Sequence, residues 1–347
     1  MYTQLILSNF GPFGDLRWDD HRQVNVIVGE NDTGKSYLLK LLYAVARSIQ
    51  EHGTGPHQGR WAEVLARKMH GVFLPPRGQL GQLVRKGQPA LKVDARLGGE
   101  NYSFSFGPDT RSSIMHCSGI VTPPGDLRAV YVPPKEVLTI LGSVRQTRSE
   151  GVLEFDDTYL DLATDLARPV TRGRLAGPLV AALDGIEELL NGVVEEYKGE
   201  FVMRRGRARF AMSQTAEGCK KVGTLARLIR NRALRRGTIL FIDEPEVNLH
   251  PGAMVQFMRI VTEAAKAGVQ VYLATHSYFA LKEIEIAARQ GGQKVSVISL
   301  DRQADTIAAS ISDLLDGMPD NGLVREGAAQ YRRDMRLSVA GEEDEWA

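Results

Sequence analysis

Apolar positions fall along this chain in two rhythms. Residues 24–28 (VNVIV), 238–242 (TILFI) and 269–275 (VQVYLAT) are short, β-rich runs that are apolar almost throughout. Such runs suit strands covered on both faces, as in a largely parallel sheet. Residues 2–8 and 128–132 read as further strands, the second stopped by Pro133 and Pro134. Residues 90–97 and 101–106 alternate across Gly98-Gly99, so part of the sheet is expected to be antiparallel. Residues 201–203 and 208–212 form a second candidate pair around Gly206. The other rhythm is helical. Leu38, Leu39, Leu42, Tyr43, Val45 and Ala46 share a stripe over 36–49, and Val222, Leu225, Ala226 and Ile229 form another. Residues 61–72, 155–168 and 176–197 follow the same spacing, the last with Leu179, Leu183, Ile186, Leu189 and Leu190 on one face. Residues 51–59, rich in Gly, His and Pro, read as a loop.

The pattern predicts the α/β class: a mixed, mostly parallel sheet with an antiparallel subsheet and a small helical lobe. The core is expected at 1–140 and 200–300, an inserted lobe at 141–199, a C-terminal extension at 301–340 and a disordered acidic tail at 341–347. No internal repeat or long heptad array interrupts this plan, so no extended coiled-coil arm is expected.

Composition narrows the function classes. Of 347 residues, 43% are hydrophobic, enough for a packed core, and 43 basic residues nearly cancel 42 acidic ones. No overall field selects nucleic acid or an anionic membrane. The two cysteines, Cys117 and Cys219, make no disulfide framework, which points to a reducing, cytoplasmic setting. The N-terminal apolar stretch is too short for a signal sequence, and no run approaches the ~20 residues that cross a bilayer, so a soluble chain with no membrane partner is expected. His21, His52, His57, His70 and His116 have no metal-ligand spacing with the cysteines, and no zinc site is expected.

The sharpest signal is Gly29-Glu30-Asn31-Asp32-Thr33-Gly34-Lys35-Ser36, which fits G-x-x-x-x-G-K-[ST] between a buried strand and a helix. A triphosphate needs many donors on a tight concave surface. Glycines let the backbone turn so that successive N–H groups point inward, and the following helix adds its positive end. Lys35 reaches the β- and γ-phosphates, Ser36 ligates Mg²⁺, and Tyr37 beside them is counted in the same site. ATP and Mg²⁺ are the implied ligands.

The run 238–242 ends in Asp243-Glu244-Pro245, and ligands of open α/β sheets gather at the carboxyl ends of strands. Asp243 is placed to hold Mg²⁺ with Ser36, and Glu244 to polarise the attacking water. One unit later, residues 269–275 deliver His276 to the same edge, where it would bond the γ-phosphate.

Together these residues resemble a superfamily. Asn9-Phe10-Gly11-Pro12-Phe13, the phosphate loop, Asp243-Glu244-Pro245-Glu246-Val247-Asn248-Leu249-His250-Pro251 and Ala274-Thr275-His276-Ser277 resemble ABC-type P-loop ATPase heads of the branch containing SMC, RecF and OLD proteins. The D-E-P-E-x-x-L-H-P stretch is typical of OLD-like ATPases. The resemblance is firm over residues 1–50 and 200–300. It implies head-to-tail homodimers with two ATPs sandwiched between subunits, one subunit supplying the P-loop and the other a signature loop. The matching place is residues 213–221, with Glu217 and Gly218 in contact with the partner's nucleotide. Glu217-Gly218 departs from L-S-G-G-Q, and an acidic residue facing phosphate calls for a compensating cation, Lys220 or Lys221. A glutamine loop is expected near residues 131–136; no glutamine stands there, so Lys135 or Glu136 would substitute. Asn248-Leu249-His250 would lie at the dimer seam.

OLD proteins carry a C-terminal TOPRIM nuclease, and the stretch after His276 is too short for one. The chain is most similar to compact stand-alone OLD-like ATPases of anti-phage systems of the Septu or retron type, which Gly317-Met318-Pro319-Asp320-Asn321 also resembles. That implies a dimerising ATPase switch, able to form higher assemblies, that controls a separate nuclease or toxin. The rival is a RecF- or SMC-like repair ATPase that clamps DNA. Two arginine groups bear on it: Arg204, Arg205, Arg207, Arg209, and Arg227, Arg230, Arg232, Arg235, Arg236. They read either as a nucleic-acid patch or as a solvated or protein-contacting face.

Overall fold

A computed structural model describes residues 1–54, 60–118, 127–141, 143–144, 155–171, 173–304 and 306–344. The strands are β1 (Tyr2–Phe10), β2 (Phe13–Trp18), β3 (Val24–Gly29), β4 (Leu91–Leu97), β5 (Glu100–Phe106), β6 (His116–Ser118), β7 (Arg128–Val132), β8 (Val193–Tyr197), β9 (Glu200–Arg205), β10 (Ala208–Ala211), β11 (Thr238–Asp243), β12 (Gln270–Thr275), β13 (Val295–Gln303) and β14 (Thr306–Asp313). The helices are α1 (Lys35–Thr54), α2 (Trp61–Phe73), α3 (Asp157–Leu166), α4 (Gly177–Leu190), α5 (Glu217–Arg230), α6 (Pro251–Lys266), α7 (Tyr278–Gly291) and α8 (Gly322–Asp344).

One sheet of 11 strands organises the molecule, in the order β6-β5-β4-β1-β2-β14-β13-β3-β12-β11-β7. The five strands from β13 to β7 run parallel, and β1, β2, β4, β5 and β6 pair antiparallel. Every residue of β3, β11 and β12 is buried, as the unbroken apolar runs predict. Alternate side chains serve two cores. Val24, Val26, Val28, Leu240, Ile242, Val271 and Leu273 face the core built with α3–α7. Ile27, Ile239, Phe241, Tyr272 and Ala274 face α1, α2 and the antiparallel strands. Among the described residues no helix is long and apolar enough to cross a membrane.

Several boundaries differ from the sequence expectation. The pattern over 176–197 is not one helix. It ends at Leu190, Asn191 takes a left-handed φ of 44°, and Val193-Val194 open strand β8. Gly192 crosses the next strand so closely that a Cβ would stand 2.8 Å from the Arg204 carbonyl. Strand β8 pairs with β9 and β10, which lie beyond 199, in a three-stranded sheet ordered β10-β9-β8; residues 142, 145–154 and 172 lie outside the described residues. Helix α1 runs on to Thr54, into the expected loop, whose residues 55–59 lie outside the description. Strand β13, which runs across the boundary expected at 300, sits beside β3 in the middle of the sheet. Helix α8 continues through 344, into the expected tail, and 345–347 lie outside the description.

The start of helix α8 is anchored in the body. Asn321, 1% exposed, donates to Ser299 Oγ at 2.9 Å and accepts from the Val324 amide at 2.9 Å. Gly322 lies against Glu30 and Gly327 against the Tyr278 ring, where a Cβ would come within 2.5 and 2.7 Å. Residues 330–337 are exposed, among them Tyr331, Met335 and Leu337.

One polar face of α1 is answered by α3. Lys40 meets Asp156 at 2.6 Å, Tyr43 Oη donates to Asp161 Oδ2 at 2.6 Å, and Arg47 meets Asp165 at 3.1 Å. Lys68 of α2 joins at 2.9 Å from Asp161 and 2.8 Å from Glu51. These positions recur at helical spacing on both helices, so α1, α2 and α3 share one ion network. Burial alone would raise the Asp161 carboxyl, but Arg47 and Lys68 hold it below the usual carboxylate range. Asp165 goes the other way, because burial outweighs Arg47 and Arg168. Removing one member of a buried network strands its partners. Asp161→Asn should lower the unfolding free energy by roughly 3–5 kcal/mol at neutral pH. Because the folded pKa of Asp161 is depressed, its stabilisation is complete above the ordinary carboxylate range and fades as pH falls through the folded value. Urea melts of both proteins at pH 7 and in acid check this: the gap must be large at pH 7 and shrink in acid.

Candidate functional site

The turn from β3 to α1 forms the phosphate loop. Gly29 is required by close approach, since a Cβ would stand 2.5 Å from the Leu300 carbonyl. Gly34 has φ 85° and would meet the Phe13 ring at 2.7 Å. Thr33 Oγ1 donates to the Glu30 carbonyl at 2.9 Å, and Lys35 Nζ arches over the loop to the same oxygen at 2.6 Å. Lys35 is buried; desolvation pulls its pKa down while Glu244, Asp243, Glu246 and Glu30 pull it up, with a net lowering. Glu30, Asn31 and Asp32 are exposed on the loop, and Asp32, at φ 64°, pairs with Arg302 at 2.6 Å. Tyr37 turns to the antiparallel half, its ring 5.1 Å from Phe10 and 4.9 Å from Phe73. It braces the first turn of α1.

The parallel strands bring the remaining residues to the same edge. Ser36 Oγ donates to Asp243 Oδ1 at 2.9 Å, and Tyr131 Oη donates to Oδ2 at 2.9 Å. Asp243 is 3% exposed. Burial raises its pKa against these two hydrogen bonds, and Glu244 adds to the rise. A hydroxyl and a carboxylate are the hard oxygen donors that Mg²⁺ takes from proteins, with waters and phosphates filling its other positions. Ser36 and Asp243 fit that role.

Glu244 stands just past the strand with φ 46°, a left-handed conformation rare for a residue with a Cβ. Its N–H donates to the Ala274 carbonyl at 2.9 Å, and its carbonyl accepts from Lys221 Nζ at 2.5 Å. Its carboxylate lies 3.5 Å from His276 Nδ1. Glu246 fixes the end of β12: Oε1 accepts from Thr275 Oγ1 at 2.7 Å and from the His276 amide at 3.0 Å, with His276 Nδ1 at 3.3 Å. A carboxylate, an imidazole, a hydroxyl and an ammonium thus converge where β3, β11 and β12 end.

Glu217 and Gly218 open α5. Gly218 backs onto the Asn248 carbonyl, which a Cβ would meet at 2.7 Å. Of the two lysines considered for Glu217, Lys220 pairs with it at 2.5 Å and lies 3.9 Å from Glu136. Lys221 instead reaches the Glu244 carbonyl. Burial brings its pKa down to about 8 despite Glu246, Asp243 and Glu244 nearby.

Sequence reasoning missed Tyr131, Glu246 and the destination of Lys221. A tyrosine inside an apolar strand reads as core, and only the register Phe241↔Tyr131 puts its hydroxyl beside Asp243. Several of the arginines make contacts within the protein, though of the nine only Arg227 is buried and Arg205, Arg207, Arg209 and Arg236 are exposed. Arg204 and Arg209 both bind Glu195, at 3.0 and 2.9 Å. Arg227 is buried and donates to the Leu166 and Arg168 carbonyls and to Glu196. Arg230 binds Glu187, and Arg232 the Arg174 carbonyl. Arg207 is exposed. Arg227 and Arg230 tie α5 to residues 166–196, and Arg204 and Arg209 tie β9 and β10 to β8.

Tyr131→Phe keeps the ring packing against Tyr43 and Phe241 and removes one hydrogen bond from Asp243. Losing a partner that orients a metal ligand typically costs 10- to 100-fold in metal affinity. The variant should bind nucleotide in chelator as wild type does and need roughly 10- to 100-fold more Mg²⁺ for its Mg²⁺-dependent increment. Fluorescent-nucleotide titrations over a Mg²⁺ series read this, and an unchanged Mg²⁺ midpoint would refute it.

Residues 142–282 match the protein family described as "AAA domain, putative AbiEii toxin, Type IV TA system". That stretch holds Asp243, Glu244 and His276 and leaves out the phosphate loop. No curated protein matches the chain. Among solved structures, the chain is similar to an SMC head bound to the C-terminal winged-helix domain of ScpA, with a TM-score of 0.54 and 13% identity over 91% of this chain and 98% of that one. It is also similar to an SMC head domain with an extended coiled coil, bound to the C-terminal domain of ScpA, from Pyrococcus furiosus. There the TM-score is 0.51 and the identity 12%, over 96% of this chain and 99% of that one. The chain has the α/β fold of SMC-like, ABC-type ATPase heads.

Proposed function

We propose that this protein binds and hydrolyses Mg²⁺-ATP and works as a nucleotide-driven dimerising switch that controls a separate effector, a nuclease or toxin, in anti-phage defence. The observation that carries the ATPase reading is the meeting of Ser36 with Asp243 at 2.9 Å and of Glu244 with His276 at 3.5 Å on one sheet edge. Lys35 and the loop amides hold the phosphates. Ser36 and Asp243 hold the cation, which neutralises the charge developing on the phosphates when bound. Glu244 accepts the proton of the attacking water, and His276 orients that carboxylate and bonds the terminal phosphate. The second half of the reading draws on the analogy with SMC-type heads, on a family description that names a toxin, and on similar heads bound to a second protein, ScpA.

Lys35→Ala removes the one cation fixed in the loop, a charge-assisted contact worth about 1.5–3 kcal/mol. ATP affinity should fall by roughly ten- to over a hundredfold in a nucleotide titration, and wild-type affinity would remove the assignment. Glu244→Gln keeps size and loses the acceptor charge. It should bind ATP, turn it over about 10²–10⁴-fold more slowly, and persist as a closed dimer with Mg²⁺-ATP. Light scattering with and without nucleotide tests this; a mass that ATP does not change would overturn the switch.

A further inference from the structure

The first turn of α5 touches the site at two places. At one end Gly218, in the loop assigned to the partner's nucleotide, backs onto the Asn248 carbonyl. One turn on, Lys221, 4% exposed, crosses to the Glu244 carbonyl at 2.5 Å. The Glu244 peptide is therefore gripped on both sides, its N–H by Ala274 of β12 and its C=O by Lys221 of α5. That grip holds a non-glycine residue at φ 46°, a conformation that persists only where its surroundings over-determine it. Among the described residues the Glu244 carboxylate has one ion-pair neighbour, His276 at 3.5 Å, so its direction is set chiefly by its backbone. Three carboxylates, of Glu246, Asp243 and Glu244, surround Lys221 and favour its charged form against burial.

We propose that Lys221 is a positioning residue for hydrolysis: its bond to the Glu244 carbonyl aims the Glu244 carboxylate, and the shared helical turn makes that aim depend on what Gly218 touches. The inference rests on the ATPase reading and adds regulation to it. A nucleotide seated against Gly218 by the partner subunit moves the turn that carries Lys221. Each subunit's hydrolysis then answers to occupancy of the other subunit's site.

The test compares Lys221→Met, which keeps length and burial but donates nothing, with Lys221→Arg, which still donates. Lys221→Met should bind ATP with wild-type affinity, assemble with Mg²⁺-ATP in light scattering, keep its KM and lose about 10²-fold in kcat, the scale of a misplaced catalytic group. Lys221→Arg should recover part of that loss. Without nucleotide, amide exchange of residues 244–249 should rise in Lys221→Met and not in Lys221→Arg. In wild type the rate per subunit should climb with protein concentration as subunits pair; in Lys221→Met the residual rate should stay flat over a range where scattering still reports pairing. Wild-type kcat in Lys221→Met overturns the proposal, and so does a residual rate that climbs with pairing. Loss of ATP binding or of thermal stability alongside activity assigns Lys221 a structural role and also overturns it. A wild-type protein that binds no nucleotide fails at the first titration, which marks failure of the ATPase reading rather than of the Lys221 contact alone.

Discussion

A carboxylate taken out of water must be answered at both oxygens, and the interior of this protein is arranged around one such group. Asp243 ends a wholly buried strand, where an unpaired charge would cost several kcal/mol. Ser36 answers one oxygen and Tyr131 the other. Tyr131 packs edge-on against Tyr43, whose hydroxyl bonds Asp161, and Asp161 is held by Arg47 and Lys68. The phosphate-loop helix, the edge strand β7 and helix α3 are thus placed by one chain of contacts that starts at the site.

Much of this was legible where chemistry forces a local pattern. Gly29 and Gly34 are needed because no side chain fits there, so the phosphate loop is written in consecutive residues. Strands β3, β11 and β12 are buried on both faces and read as unbroken apolar runs. The hairpin of β4 and β5 follows from alternation around two glycines. What stayed hidden depends on pairings between distant residues. Tyr131 looks like any core aromatic until the β7–β11 register is known. Lys221 and Lys220 are adjacent in sequence, and only the phase of α5 sends one to Glu217 and the other to Glu244. Arg227 and Arg232 bond to backbone carbonyls, which sequence does not show, since it gives the charge and not its partner. Helical spacing carried the prediction past Leu190 because Val193 and Val194 continue the apolar beat, while the left-handed Asn191 breaks it.

Left-handed residues mark the same region. Glu244 and Asn248, at φ 46° and 66°, bracket the turn between β11 and α6. Neither is glycine, so each position carries strain that its neighbours must hold. The turn contains Glu246, which fixes Thr275 and the His276 amide. The strain and the bonds that hold it belong to one short segment, which sets the Glu244 carboxylate against the end of β12.

Helix α8 has a geometric consequence. Its root is wedged between a phosphate-loop residue, Glu30, and Tyr278, two residues beyond His276, while residues 330–337 are exposed. A helix is stiff and rises about 1.5 Å per residue, so the stretch beyond residue 330 forms a rod of about 20 Å. A tilt of about 5° at the root, smaller than a side chain's shift between rotamers, carries the tip through about 2 Å. The helix is therefore a pointer fixed at its pivot: small displacements around the phosphate loop are magnified into movements at its far end.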